Sequence, residues 1–225
     1  MMPRMKLRTT SWRLTWAPVL IALTATAIVA ALSLSVREPV LRAAGWALVV
    51  NEPAAPADII VVSLASGGAG ALEAADLVRG GIAARVAVFV DPPSGEDHEF
   101  IRRGLPYEDG GARQLRQLGW LGVREVMQIP RAEDGTQGEA QALRAWCDRQ
   151  RFRSIVFVVA RDHSRRLQRV LARVMNGQST RVTVRSARFS VFDPDRWWET
   201  RSGIRTEIVE MQKLMLDFVL HPPSF

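Results

Sequence analysis

Residues 58–64 read DIIVVSL, a run of branched apolar side chains between an aspartate and a serine. Branched side chains favour strands, and an uninterrupted apolar run is typical of a strand that is buried on both faces. A second run of this kind, SIVFVVA, occupies residues 154–160. Strands covered on both faces occur in sheets that carry helices on each side. The two runs therefore predict the centre of a parallel sheet.

Further strands alternate with helical patterns around these two runs. The other predicted strands are 85–90, 125–129 and 181–185, and the predicted helices are 71–79, 110–118, 137–149, 164–175 and 204–220. Connections of the strand–helix–strand type are right-handed and place helices on both faces of a parallel sheet. The sequence predicts an α/β domain with a three-layer, Rossmann-like, mostly parallel sheet of about five strands.

The segment 14–36 carries no charge, and the charges before it are all positive: Arg4, Lys6, Arg8 and Arg13. An apolar helix of about 20 residues spans a bilayer, and basic residues beside the first such helix stay in the cytoplasm. We expect residues 1–13 in the cytoplasm and a single-pass transmembrane signal anchor over 14–36 in the cytoplasmic membrane. A juxtamembrane connector over 37–56 then leads to an extracytoplasmic domain over 57–225. A cleaved signal peptide is the alternative, and it also places the domain outside.

The composition argues against several classes of function. The formal charge is +7, but four positive charges precede the apolar segment and the other basic residues are interspersed with acids. This distribution does not form the basic stripe of a nucleic-acid-binding surface. Cys147 is the only cysteine, and the three histidines His98, His163 and His221 lack the spacing of a zinc site. We expect no nucleic-acid partner and no metal site, and no cofactor is indicated.

A glycine-rich segment, SGGAG at 66–70, follows the first strand. Ligands of such sheets bind beyond the carboxyl ends of the strands, and backbone N–H groups at a helix start attract anions. The candidate anion-binding residues here are Ser66, Gly67, Gly68 and Gly70. A tight turn is the alternative.

The connection 91–109 is long for a turn and is predicted to be a lid or substrate loop, with a solvated excursion as its alternative.

The segment RDHSRR at 161–166 directly follows the fourth strand. Asp162 is a candidate helix cap, and histidine is suited to proton transfer near neutral pH. Arg165 and Arg166 offer planar donors to phosphate or carboxylate oxygens. We expect His163 to be catalytic and the other three residues to bind a ligand, whereas a lone histidine is otherwise structural or exposed.

Thr136 and Glu139 have the spacing of a capping box, which accounts for both residues structurally. This helix start also lies at the carboxyl edge of the sheet, so Thr136 is a candidate ligand-binding residue. Glu139 could face the same crevice as His163 and form an acid–base arrangement or a polar pocket. We expect Asp58, Glu139, His163 and Arg165 to converge on that crevice.

Several of these motifs occur in a recognisable order. They are VVNEP at 49–53, ADIIVV at 57–62, the helical pattern of 72–81, Thr136 with Glu139 and Ala140, DHSRR at 162–166, Trp197 with Trp198, and Glu210 with Lys213. This order, over residues 49–219, resembles that of the bacterial SanA/ElyC/YdcF-like domain family of membrane-anchored envelope factors. Two features depart from the family pattern. The usual Leu-Gly-Gly after the first strand is SLA at 63–65, and the arginine often found before the first helix is absent.

The resemblance implies a membrane-anchored cell-envelope protein, since family members are linked to envelope integrity, peptidoglycan and lipid-carrier metabolism. We expect it to handle an anionic glycan or a lipid-linked phosphate precursor at the bilayer, as a transferase or hydrolase with Glu139 and His163 as acid–base residues. The alternative is a non-catalytic ligand-binding or scaffolding factor in envelope assembly. One branch of the family binds S-adenosylmethionine, which is disfavoured here because that cofactor is scarce outside the cytoplasm.

The charge asymmetry around 14–36 predicts the location of the carboxyl terminus. A reporter enzyme that works only outside the cytoplasm should be active when it is fused after Phe225, and deletion of 14–36 should abolish that activity. Strong activity of a cytoplasm-only reporter on the full chain would contradict this topology.

Overall fold

The fold is described from a computed structural model, in which residues 17–106 and 108–222 are described. The strands are β1 (Ile59–Val62), β2 (Arg85–Val90), β3 (Glu125–Pro130), β4 (Ser154–Val159) and β5 (Arg181–Ser186). They form one sheet in the order β3-β2-β1-β4-β5, and every neighbouring pair is parallel. The predicted α/β fold with a five-stranded, Rossmann-like parallel sheet is thereby confirmed.

The helices of the described residues are α1 (Ala17–Leu32), α2 (Leu34–Ala47), α3 (Gly67–Arg79), α4 (Gly95–Arg102), α5 (Gly110–Trp120), α6 (Gly135–Gln150), α7 (Ser164–Val174) and α8 (Arg201–Leu220). Among them, α1 and α2 precede the sheet, α3 to α7 lie between successive strands, and α8 follows the last strand. Short 3₁₀ turns occupy Leu64–Ser66, Arg161–His163 and Trp197–Glu199.

Two apolar cores lie on opposite faces of the sheet because successive residues of a strand point in opposite directions. Ile59 and Val61 pack with side chains of α6 and α7, whereas Ile60 and Val62 pack with side chains of α3 and α5. All four side chains of β1 are fully buried. Burial of each contributes about 1.5–3 kcal/mol, so the continuous apolar run specifies a central strand.

The strand order has a switch point between β1 and β4. The chain leaves β1 towards α3 on one face of the sheet and leaves β4 towards α7 on the other. Connections that diverge in this way open a crevice at the carboxyl ends of the two strands. The residues that follow β1 and β4 are therefore the ones that the fold brings together.

The segment 14–36, predicted to span the membrane, contains parts of two helices in the structure. Its residues 14–16 and the predicted cytoplasmic segment 1–13 lie outside the described residues. In the described part of the segment, α1 ends at Leu32 and α2 begins at Leu34, with Ser33 between them. Over this part, 17–36, the apolar residues are therefore divided between two helices at Ser33. No helix within the described residues is both long and apolar enough to cross a bilayer.

The chain divides into two compact units between Ala43 and Ala44. Leu48 and Val49, within the predicted connector 37–56, are buried with Phe192 and Leu214. The α/β unit thus begins before residue 57, because the connector supplies part of a small apolar cluster beneath α8.

The connection predicted as a lid or substrate loop contains a helix, α4. Ser94 and Asp97 form a capping box in which each side chain accepts a hydrogen bond from the other's backbone N–H. None of the residues of α4 is buried. This helix is held by its cap and not by a core, which explains why an apolar pattern did not indicate it.

The inner face of α8 carries an unusual set of acidic residues. Glu207, Glu210 and Asp217 are all buried on this face, together with Leu214. Arg169 and Arg173 pair with Asp217. Neither carboxyl oxygen of Glu207 has a hydrogen-bond partner among the described residues. Burial without such a partner raises the pKa of Glu207 to about 7.

Glu207 should make stability depend on pH. The folded pKa lies above the unfolded one, so its contribution is complete below about pH 4.5 and is lost as the pH rises through 7. Ionisation should cost about 3 kcal/mol of unfolding free energy at higher pH. Glu207→Gln should remove this loss and melt above the parent protein at pH 8, whereas Glu199→Gln, at a half-exposed position, should behave like the parent. Equal pH profiles for parent and Glu207→Gln would contradict the assignment.

Candidate functional site

Two adjoining cavities open at the carboxyl ends of β1 and β4. The cationic cavity, of about 470 Å³, is lined by residues that include Arg131, Thr136, Glu139, His163, Arg166 and Lys213. The glycine cavity, of about 430 Å³, is lined by residues that include Gly67, Gly68, Asp162, His163, Phe189 and Thr206. His163 and Ala65 line both cavities, so the wall between the cavities is at these two residues.

His163 ends the 3₁₀ turn that follows β4, and carboxylates face both of its ring nitrogens. Nδ1 lies 3.0 Å from Oε2 of Glu210, and Nε2 lies 3.3 Å from Oδ2 of Asp162. The guanidinium of Arg166 also approaches Nδ1, with Nη2 at 3.1 Å. Nδ1 can thus donate to Glu210 when it carries a proton and accept from Arg166 when it does not. The ring keeps a hydrogen bond at Nδ1 in either tautomer, which frees Nε2 for proton exchange.

Glu210 is the carboxylate that organises this cluster. It accepts from Arg166 Nη2 at 2.9 Å and from Lys213 Nζ at 2.7 Å, in addition to its contact with His163. Burial alone would raise the pKa of Glu210, but the hydrogen bonds and charges of His163, Lys213 and Arg166 lower it to about 2. Glu210 is therefore a fixed negative charge at physiological pH.

Arg166 connects the helices around the cationic cavity. Its Nε and Nη2 donate to Glu210 of α8, and Nη1 donates to Thr136 Oγ1 of α6 at 2.6 Å. Thr136 and Arg166, both predicted to bind a ligand, thus lie together and line the same cavity. Thr136 is in the first turn of α6, and Asp134 occupies the position before that helix.

Glu139 does not form the predicted capping box, because its side chain contacts the residues after β1 instead. Its carboxylate accepts from Ser63 Oγ at 2.9 and 3.0 Å and from the backbone N–H of Leu64 at 2.9 Å. Burial raises the pKa of Glu139, and these donors together with Arg131 and His163 oppose the rise. Glu139 and His163 do line one cavity, but the carboxylate hydrogen-bonded to His163 is Glu210. Tertiary contacts with the residues after β1 take precedence over the local cap.

The glycine-rich segment is helical where a loop was predicted. The 3₁₀ turn Leu64–Ser66 leads directly into α3, and Gly67 adopts a φ of 50° at the junction. Ser66, Gly67 and Gly68 line the glycine cavity, on the side of His163 away from most of the cations. Gly70 does not line it: a Cβ there would lie 1.9 Å from Ser66 Oγ. Close packing therefore explains this glycine.

Two residues expected in the crevice lie elsewhere. Arg165 donates to the carbonyls of Ala47 and Val49, at 2.7 and 3.0 Å, and lines neither cavity. Asp58 accepts from the backbone N–H groups of Arg153 and Ser154, and these hydrogen bonds lower its pKa. Asp58 precedes β1 and so lies at the amino edge of the sheet. The expected convergence is wrong for both residues.

Asp162 lies in the crevice, as expected of a ligand-binding residue, but it does not cap α7. No side-chain cap is formed at the start of α7, where Asp162 was a candidate. Asp162 instead faces His163 and the glycine cavity. Burial raises the pKa of its carboxyl group, and the charge of His163 opposes the rise.

Four residues of the site were not among the sequence candidates. Ser63 and Arg131 directly follow β1 and β3, so their positions at strand ends were an available signal. Arg131 is buried and makes two hydrogen bonds to Asp91, at 2.6 and 2.7 Å. Glu210 and Lys213 belong to the motifs that carry the family resemblance. No sequence pattern indicated that α8 packs beside His163.

Comparison with protein-family models, with curated proteins and with solved structures finds no match to this chain in any of the three. The resemblance to the SanA/ElyC/YdcF-like family therefore stays a prediction. Among the described residues, no group of three or more His, Cys, Asp or Glu side chains is placed to hold a metal ion. The groups available for chemistry are His163, its two carboxylate neighbours and the cations of the cationic cavity.

Substitutions at Glu139 separate the contribution of its hydrogen bonds to stability from the contribution of its charge. Glu139→Ala leaves the buried hydroxyl of Ser63 and the N–H of Leu64 without their acceptor and should lower the free energy of unfolding by about 1–3 kcal/mol. Glu139→Gln retains an acceptor oxygen and should lose less. Chemical denaturation of both variants measures this order, and equal losses would show that the charge of Glu139 matters more than its hydrogen bonds.

Proposed function

We propose that this crevice binds an anionic glycan or a lipid-linked phosphate precursor of the cell envelope, and that His163 moves a proton during group transfer or hydrolysis. The observation that carries the proposal is the position of His163. Its Nδ1 lies between the acceptor Glu210 and the donor Arg166 at the wall between the two cavities. Histidines oriented by a carboxylate in this way serve as general acids and bases.

The cations of the cationic cavity favour an anionic ligand. Arg131 and Arg166 are fixed by acidic partners, which keeps their guanidinium groups in place without ligand. Lys213 is half exposed and pairs with Glu210 through one Nζ contact, so its ammonium group retains donors for a further anion. Phosphate oxygens accept such charge-assisted hydrogen bonds readily.

Proton transfer would use Nε2 of His163. When Nε2 accepts a proton from a bound ligand, the Nδ1–H keeps its hydrogen bond to Glu210, and Nε2 returns the proton to the product or to water in a later step. Carboxylate oxygens of Glu210 and Asp162 lie 3.0 Å from Nδ1 and 3.3 Å from Nε2, so an acceptor faces each ring nitrogen. The cluster therefore supports every protonation state that an acid–base residue passes through.

The outer face of α8 supports a location at a membrane surface. Its exposed apolar residues are Ile204, Ile208, Val209, Met215, Leu216, Phe218, Val219 and Leu220. All three acidic residues of α8 are buried, so the exposed charges of the helix are the basic ones of Arg201, Arg205 and Lys213. An apolar face with basic residues suits the surface of an anionic bilayer. Together with the segment 14–36, this face favours a membrane-anchored domain.

A non-catalytic binding or scaffolding role is the second candidate. It is favoured by the absence, among the described residues, of a hydroxyl or thiol hydrogen-bonded to His163. Ser63 is the hydroxyl that lines the cationic cavity after β1, and it donates to Glu139 instead. A ligand-binding factor would use the same cations without proton transfer.

Replacement of His163 distinguishes the two roles. A chromosomal His163→Ala allele should give the envelope sensitivity of a deletion strain, because loss of a general acid or base slows a reaction about 10²–10⁴-fold. The melting temperature should change little, since the side chain is at a partly exposed turn. His98→Ala, at an exposed position, is the matched control and should behave like the parent allele. Full activity of His163→Ala with normal folding would favour the scaffolding role.

A further inference from the structure

The two cavities that meet at His163 differ in charge. Three basic side chains line the cationic cavity: Arg131, Arg166 and Lys213. None of the described residues that line the glycine cavity is a lysine or an arginine, and its charged groups are Asp162 and, when protonated, His163. A ligand that spans the wall would therefore meet cations at one end only.

The glycine cavity combines apolar surface with polar groups. Gly67 and Gly68 leave backbone exposed at its floor, and Phe189 and Val191 line it with side chains that are 57% and 92% exposed. Ser202 and Thr206 add hydroxyl groups from the first turns of α8, and neither makes a side-chain hydrogen bond with another described residue. Asp162 adds a carboxyl group on the side of His163.

This combination fits a sugar ring better than a charged or a purely apolar group. A pyranose presents C–H faces to aromatic and aliphatic side chains and hydroxyl groups at its edge to serine, threonine and carboxyl oxygens. The absence of cations among the lining residues disfavours a second phosphate in this cavity. A wholly apolar chain would leave Asp162 without a polar partner from the ligand.

We propose that the glycine cavity is the subsite for the sugar ring of a glycosyl phosphate, whose phosphate lies in the cationic cavity. The inference rests on the proposed function, because it takes the cationic cavity as the anion site. It places the bond between ring and phosphate beside His163, which lines both cavities together with Ala65. Phe189 would lie against one face of the ring, and Thr206 would reach its hydroxyl groups.

Calorimetric titration of the full chain in detergent tests the subsite with three simple probes. Inorganic phosphate reports on the cationic cavity alone, glycerol 3-phosphate adds hydroxyl groups without a ring, and glucose 1-phosphate adds the ring. We expect glucose 1-phosphate to bind about tenfold more tightly than the other two probes. Phe189→Ala should reduce this preference about two- to tenfold, since it removes an aromatic contact.

Thr206→Phe is the decisive variant because its ring would fill the glycine cavity from a half-buried helix position. It should abolish the preference for glucose 1-phosphate and leave phosphate affinity unchanged, whereas Thr206→Ser should keep both. Circular dichroism melts establish that each variant is folded. Phosphate binding with no preference for the ring, or a preference that survives in Thr206→Phe, overturns the subsite but leaves the anion site standing. No binding of any probe to the parent overturns the proposed function and the subsite with it.

Discussion

Glu210 is a buried carboxylate that holds three side chains at once: His163, Arg166 and Lys213. Through Arg166 the same network reaches Thr136 at the start of α6. The carboxyl edge of the sheet is thus closed by α8, an element distant in sequence from the strands it covers. Removal of Glu210 itself would leave Arg166 and Lys213 without this acidic partner, which costs far more than the net worth of each pair. The position of His163 therefore depends on the docking of α8.

The order of the strands explains why charged residues can be buried here. At the switch point the backbone turns to opposite faces after β1 and after β4, which leaves space that the apolar cores do not fill. Side chains that follow β1, β3 and β4, together with side chains of α6, α7 and α8, enter this space and form hydrogen bonds and ion pairs with one another. Glu139 secures the residues after β1, and Arg131 joins the ends of β2 and β3 through Asp91. Charged side chains that are paired with one another therefore surround the imidazole of His163.

Sequence patterns predicted the sheet because a strand buried on both faces is an almost continuous apolar run. Because these runs also locate the strand ends, the patterns correctly placed His163, Arg166, Thr136 and Glu139 at the carboxyl edge of the sheet. The sequence patterns failed where the direction of a helical side chain decides whether it faces the crevice. Successive side chains on a helix point about 100° apart. Arg165 and Arg166 cannot both face one crevice, and only tertiary packing determines which does. Glu210 is 47 residues from His163, and local spacing carries no information about such a contact.

Glu207 and Glu210 show that partners, more than burial, set the charge of this region. They lie one helical turn apart on α8, and each is 4% exposed. The pKa of Glu207 is raised to about 7 by burial, whereas that of Glu210 is lowered to about 2 because His163, Lys213 and Arg166 outweigh the same effect. Pairs of acids whose pKa values are driven apart often mark acid–base sites. Without its cations Glu210 would resemble Glu207, and His163 would lose the ionised acceptor at Nδ1. The arginine and lysine beside Glu210 thus keep this carboxylate ionised, which the proposed proton transfer requires, even where they do not touch a ligand.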